Sequence, residues 1–156
     1  MEEKDLKAIV NQVIKNITFT SVNLDLARRI IRRVEEEAER IGVKAVVAVA
    51  DSGANIIAVE CMDDAYIASY DIAVNKAYTS VSLKMPTKTL KVLAQPGGEL
   101  YGIQNTNNGK IVIFGGGVPL KLNDKVIGGV GVSGGSEEQD TYLGDFAVSV
   151  FKEELL

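Results

Sequence analysis

Lys76, the carboxylates Glu138 and Asp140, and two glycine-centred bends are the places in this 156-residue chain where residue types and spacing could do chemistry. Phe114-Gly115-Gly116-Gly117 offers successive backbone N–H groups that glycine can curve into a concave anion nest. A plain hairpin packed tightly on a neighbour accounts for the same residues. No GK[ST] follows this bend and no GxGxxG spacing starts from it, so neither nucleotide loop is spelled out there. Ser133-Gly134-Gly135-Ser136 runs into Glu137, Glu138, Gln139 and Asp140, with Ser136 and Gln139 spaced as a capping box. A helix start attracts anions, but three carboxylates repel them; with Glu138 and Asp140 turned inward, a cation, an amine or a hydroxyl fits better. Lys76 stands beside the uncharged Ile72, Ala73 and Ser80, from where its ammonium can reach the bends and hold a ligand carboxylate, or instead snorkel to the surface or pair with Asp71 or another acid. The ligand-binding set is therefore Lys76, Phe114, Gly115, Gly116, Gly117, Ser133, Gly134, Gly135, Glu138 and Asp140, with no catalytic residue assigned and metal ligation open.

What the chain lacks narrows the chemistry further. There is no histidine, which removes the commonest metal ligand, the usual base near neutral pH and every Ser-His or Cys-His pair. Cys61 is the single cysteine, so neither an intrachain disulfide nor a CxxC site exists; no cation adjoins it, and it reads as a small buried hydrophobe. A net charge of −4 without a basic block argues against nucleic acid and anionic membrane surfaces. MEEKDLKAIV has no basic stretch leading into a long apolar core, so neither a signal peptide nor a membrane span is expected and the cytoplasm is the default.

The elements that must position these residues follow from periodicity. Leu6, Ile9, Val10 and Val13 make a peripheral helix within 1–18, and Thr20 or Ser21 caps a second whose stripe is Leu24, Ala27, Ile31, Val34, Ala38 and Ile41. Ala45–Ala50 is a strand covered on both faces, and Asn55–Glu60 returns as its hairpin partner. A third helix spans about Ala65–Leu83, with small residues that let another backbone come close, and Pro86 ends it before a short turn at Thr87–Leu93. Gln95–Gly109 is a structured loop. Ile111–Phe114 and Val126–Val132, parted by the Gly115–Gly117 and Asn123–Asp124 turns, read as a hairpin leading into a last helix, Glu137–Glu154. Thirteen of the fifteen glycines lie after Gln95, which points to close approach by a ligand or a neighbouring subunit. Val148 and Leu155, off the last helix's stripe, are expected on a partner chain. One domain, 1–156, with an α+β fold and an antiparallel sheet flanked by helices, results.

The stretches VAVADSGANIIAVECMDDA (47–65), IAVNKAYTSVSLKMPT (72–87), QPGGELYGIQNTNNGKIVIFGGGVPLK (95–121) and VIGGVGVSGGSEEQD (126–140) resemble the GlcG/HbpS family, especially the C-terminal domain of PduO-type proteins. The resemblance implies a profilin-like three-layer α/β/α fold around a five-stranded antiparallel sheet, and a homo-oligomer such as an octamer. It also implies haem or corrinoid as ligand and a place beside glycolate, diol or cobalamin metabolism, without the adenosyltransferase domain of PduO. Where such relatives carry histidine in a GIQHTN stretch this chain has Asn105, so haem iron would fall to Met62, Met85, Cys61, a tyrosine, a threonine hydroxyl or water. The residues thus point first to an oligomeric binding protein for a small carboxylate, a polyol or a tetrapyrrole. A lyase or isomerase pairing Lys76 with Glu138 or Asp140, and a structural assembly or microcompartment-associated protein, are the alternatives.

Overall fold

The computed structural model describes residues 2–155. Their order is α1 (Glu3–Thr18), α2 (Leu24–Arg40), β1 (Val46–Asp51), β2 (Ile56–Cys61), α3 (Ser69–Ser82), α4 (Thr87–Leu93), β3 (Gly117–Leu122), β4 (Lys125–Ser133) and α5 (Glu137–Glu154). The strands form one antiparallel sheet in the order β2-β1-β4-β3. The fold is α+β, and the sheet has four strands among the described residues, not five. Ile111–Phe114 stays outside it because its backbone is already engaged: the Val112 N–H donates to Thr79 Oγ1 at 3.0 Å, and that hydroxyl lies 3.2 Å from the Lys110 carbonyl. The ladder takes residues 117–122 instead, and Pro119 is tolerated there because β3 is an edge.

Alternation along β1 serves both faces of the sheet. Val47 and Val49 join Val118, Leu120, Val130 and Val132 beneath α2 and α5, while Val46, Ala48 and Ala50 meet Ala73, Ala77 and Val81 of α3. In α2, the fully buried Ile30, Ile31 and Val34 each withdraw apolar surface worth roughly 2 kcal/mol from water. The cap of α2 is Asn23, whose Oδ1 accepts from the Leu26 N–H at 2.9 Å, rather than Thr20 or Ser21. The segment before it is engaged elsewhere: the Val22 N–H donates to the Ile127 carbonyl and Ser21 Oγ accepts from the Ser52 N–H. Helix α3 starts at Ser69, four residues later than its apolar pattern suggests. The capping box at Ser136 and Gln139 is present.

Gly129 and Gly131 of β4 answer to α3 of the same chain. A Cβ on Gly131 would stand 1.9 Å from the Ala73 carbonyl oxygen and 2.6 Å from the Ala77 nitrogen, so glycine sets the distance at which helix and strand meet. Val148 and Leu155 likewise pack on their own chain, against the cluster between sheet, α2 and α5. Cys61 is exposed at the end of β2, not buried. Among the described residues no helix is long and apolar enough to cross a membrane.

Leu6, Ile9, Val10 and Val13 of α1 remain about half exposed. Deleting residues 1–18 is therefore expected to move Tm by less than about 2 °C, as for other changes that remove little buried surface. Calorimetry of the shortened chain checks this, and a loss of several degrees would place α1 in the core.

Candidate functional site

Lys76 comes from the middle of α3, and its side chain is entirely withdrawn from solvent. Its Nζ donates to Asp140 Oδ2 at 2.9 Å and to the Val132 carbonyl at 2.8 Å. The Phe114 ring covers it, with the centroid 5.0 Å from Nζ. Asp140, one turn into α5, is fixed from its other oxygen: the Gly135 N–H donates to Oδ1 at 2.8 Å. Burial pushes the Lys76 ammonium below its ordinary value, and the Asp140 charge and hydrogen bond oppose that shift without cancelling it. Gly116 makes room for this pair. A Cβ there would lie 2.7 Å from Nζ and 2.6 Å from the Val132 oxygen, and its φ of +115° disfavours any L side chain as well.

Above the ion pair lies a cavity of about 360 Å³. Phe114, Ser133, Gly134, Gly135 and Asp140 line it, together with Tyr66, Ser69, Ile72 and Glu137, which the residue pattern did not single out. A signal for two of these was available: Ser69, Ile72 and Lys76 step by three and four along one helical face. Ser133 Oγ donates to Ser69 Oγ at 3.0 Å, a buried hydroxyl pair at the polar side of the cavity. Tyr66, Ile72 and Phe114 supply the apolar side.

Not all of the expected residues converge. Lys76 forms the floor and does not line the cavity, because Nζ is spent on Asp140 and Val132. Gly115–Gly117 are buried, and two of their amides are taken: Gly115 N–H donates to Glu137 Oε1 at 3.0 Å and Gly117 N–H to Thr87 Oγ1 at 2.8 Å. Glu138 is exposed and faces a separate hollow with Ser136, Glu137 and Thr141. The inward carboxylate beside Asp140 is thus Glu137, held below the usual carboxylate range by its hydrogen bonds from Lys91 and the Gly115 amide. Asn105 is not among the residues lining the cavity. A second cavity of about 470 Å³ adjoins the first through the shared residues Tyr66, Gly134 and Gly135, and brings Lys44 and Asp64 to the same rim. Among the described residues no group of three or more Cys, Asp or Glu side chains is placed to hold a metal ion.

Comparison with known proteins adds to this geometry. Residues 22–149 match the family described as haem degrading protein HbpS-like. The 15.0 kDa protein in the dhaT-dhaS intergenic region of Citrobacter freundii is 45% identical over 139 residues, 89% of this chain and 98% of that protein. The corrinoid adenosyltransferase PduO of Salmonella typhimurium is 35% identical over 135 residues, 86% of this chain but 40% of PduO. The crystal structure of a PduOC:heme complex superposes with a TM-score of 0.80 at 35% identity, over 83% of this chain and 94% of that one.

Proposed function

The chain belongs to the HbpS-like family, and on that premise we propose that it is a tetrapyrrole-binding protein whose haem or corrinoid edge enters the Tyr66–Phe114 cavity. The observation that carries this reading is the cavity itself: an apolar wall of Tyr66, Ile72 and Phe114 against a polar edge of Ser69 and Ser133. Such a lining suits a flat macrocycle with a few polar substituents. Haem also needs an axial ligand and partners for its carboxylates.

The residues present fit those needs without histidine. Of the side chains able to ligate iron, Met62 Sδ already accepts from the Ala45 N–H, and Cys61 lies on β2 outside the cavity. Tyr66 stands at the rim, and its phenol is a known class of haem ligand. Lys44, paired with Glu39, adjoins the same rim and can turn to a propionate. Bound haem would supply iron redox chemistry; the chain's own part is to bind, orient and screen the macrocycle from water.

Exposed apolar side chains support assembly of identical subunits, an octamer being the form the resemblance implies. Ile67 is 98% exposed and Val92 70% in the single chain. Likeness to part of a corrinoid adenosyltransferase supports a place beside cobalamin metabolism. A lysine-based lyase reading draws on the 2.9 Å Lys76–Asp140 distance. It also requires an accessible amine, however, and Lys76 has none of its surface exposed, so no catalytic role is proposed.

Titration with haem, followed by absorbance and by native mass spectrometry, tests both the ligand and the assembly. A shifted Soret band saturating at one haem per chain is expected. Tyr66→Phe should weaken binding by about tenfold or more, since even outer-shell changes around a metal cost ten- to hundredfold. No spectral change at stoichiometric haem or corrinoid would overturn the proposal.

A further inference from the structure

At the opposite end of β4 from Ser133, a cavity of about 640 Å³ is lined by Lys84, Lys121, Lys125, Asp124, Thr20 and Ser52. The three lysines come from separate segments: just beyond α3, near the end of β3, and the first residue of β4. Among the described residues, none of the three has a carboxylate within ion-pair distance, whereas Arg29, Arg32, Arg33, Arg40, Lys44, Lys76, Lys88 and Lys91 all do. Acidic residues outnumber basic ones in this chain, 21 to 17, and although among the described residues Lys4, Arg28, Lys110 and Lys152 also lack an ion pair, none of them lines this hollow, where three unpaired ammonium groups gather.

The backbone around the hollow is shaped to keep them there. Lys84 has φ of +56°, a left-handed conformation in which glycine or asparagine is favoured and lysine is strained. A register shift between Leu120 and Lys121 leaves Ile127 without a partner in β3, since Leu120 faces Gly128 and Lys121 faces Val126. Bulges of this kind re-aim side chains. The freed Ile127 carbonyl accepts from the Val22 N–H at 2.8 Å, which draws the Thr20–Val22 segment to the hollow's edge.

We propose that this cavity binds a small phosphate-bearing anion, with Lys84, Lys121 and Lys125 as the cationic contacts and the Thr20 and Ser52 hydroxyls as neutral donors. Three lysines against the single carboxylate of Asp124 leave two positive charges, which a phosphate dianion balances and a monocarboxylate does not. Lysine meets phosphate as a point charge, without the flat two-pronged match that arginine offers a carboxylate. The volume lies within the range of small-molecule sites. The site is independent of the tetrapyrrole cavity, because no lining residue is shared.

Calorimetric titration with inorganic phosphate at alkaline pH, where it is a dianion, and with acetate as a monocarboxylate control, tests this on the full chain. Saturable binding at one phosphate per chain is expected, tighter than acetate and weakening as salt rises. Lys121→Gln with Lys125→Gln should lower affinity roughly two- to fivefold per lysine. Lys84→Gly should weaken binding while raising Tm, because it removes a cation and relieves the left-handed strain together. Equal affinity for acetate, binding unchanged in the double variant, or no saturable binding at low salt would each overturn the proposal.

Discussion

Lys76→Met is expected to destabilise the protein by about 3–5 kcal/mol, the usual cost of removing one partner of a buried ion pair. At this chain length that is a fall in Tm of about 10 °C or more. The loss arises from what is left behind: Asp140, 4% exposed, would keep the Gly135 amide as donor to Oδ1 and lose the ammonium at Oδ2. Lys76→Met combined with Asp140→Asn should recover about 2 kcal/mol of that loss, because the amide oxygen still accepts from Gly135 and no charge is stranded. Denaturant unfolding of both variants checks the pair, and a single variant within about 1 kcal/mol of the parent would mean that the ammonium is dispensable to the floor.

The same pair carries a pH signature. Burial holds the Lys76 ammonium below its ordinary value of 10.5, so between its folded and unfolded titrations the folded chain binds fewer protons than the unfolded one. Stability conferred by this group therefore increases with pH through the window below 10.5, and is reduced at lower pH where both states are protonated. Lys76→Met should flatten that rise, and unfolding measured from neutral to alkaline pH in both proteins reads it directly.

Gly131→Ala should cost about 3 kcal/mol, the upper part of the range for overpacking a well-packed core. Its Cβ would fall 1.9 Å from the Ala73 oxygen, and the obstacle is helix backbone that cannot rotate aside. Relief requires lifting α3 from β4, which also disturbs Lys76. Gly109→Ala provides the contrast: nothing lies within 4 Å of its added Cβ, and only the left-handed φ of +74° is strained, so about 1 kcal/mol is expected. If thermal melts gave the two variants equal losses, close approach of α3 would not be what these glycines serve.

Local rules made much of this architecture legible. Most of the α2 stripe, the doubly covered β1 and the Ser136 capping box depend on residues within a few positions of one another and appear where periodicity and hydroxyl spacing put them, although Leu24 is exposed and Leu26 and Ile30 take its place in the buried face. The Ile111–Phe114 run was misread because an apolar tetrapeptide fits a strand as well as a buried loop. The arbiter is the Thr79 hydroxyl, more than thirty residues away. Similarly, Lys76 and Asp140 could be named from their types, but two adjacent acids do not reveal which of Glu137 and Glu138 turns inward. That depends on Lys91 and the Gly115 amide, supplied by distant segments. By its type Lys76 suits a guest carboxylate or a nearby acid alike, and the fold pairs it with Asp140, since a lysine with no exposed surface takes its partners from the protein.

The floor beneath the Tyr66–Phe114 cavity has an evolutionary corollary. Gly116 and the Lys76–Asp140 pair occupy one another's only room, so single exchanges at that depth are penalised before any new preference could be selected. Tyr66, Ile72 and Phe114 at the mouth are free of that interlock. Divergence in ligand choice among descendants of this sequence would accordingly be written at those three positions, above a base that stays the same.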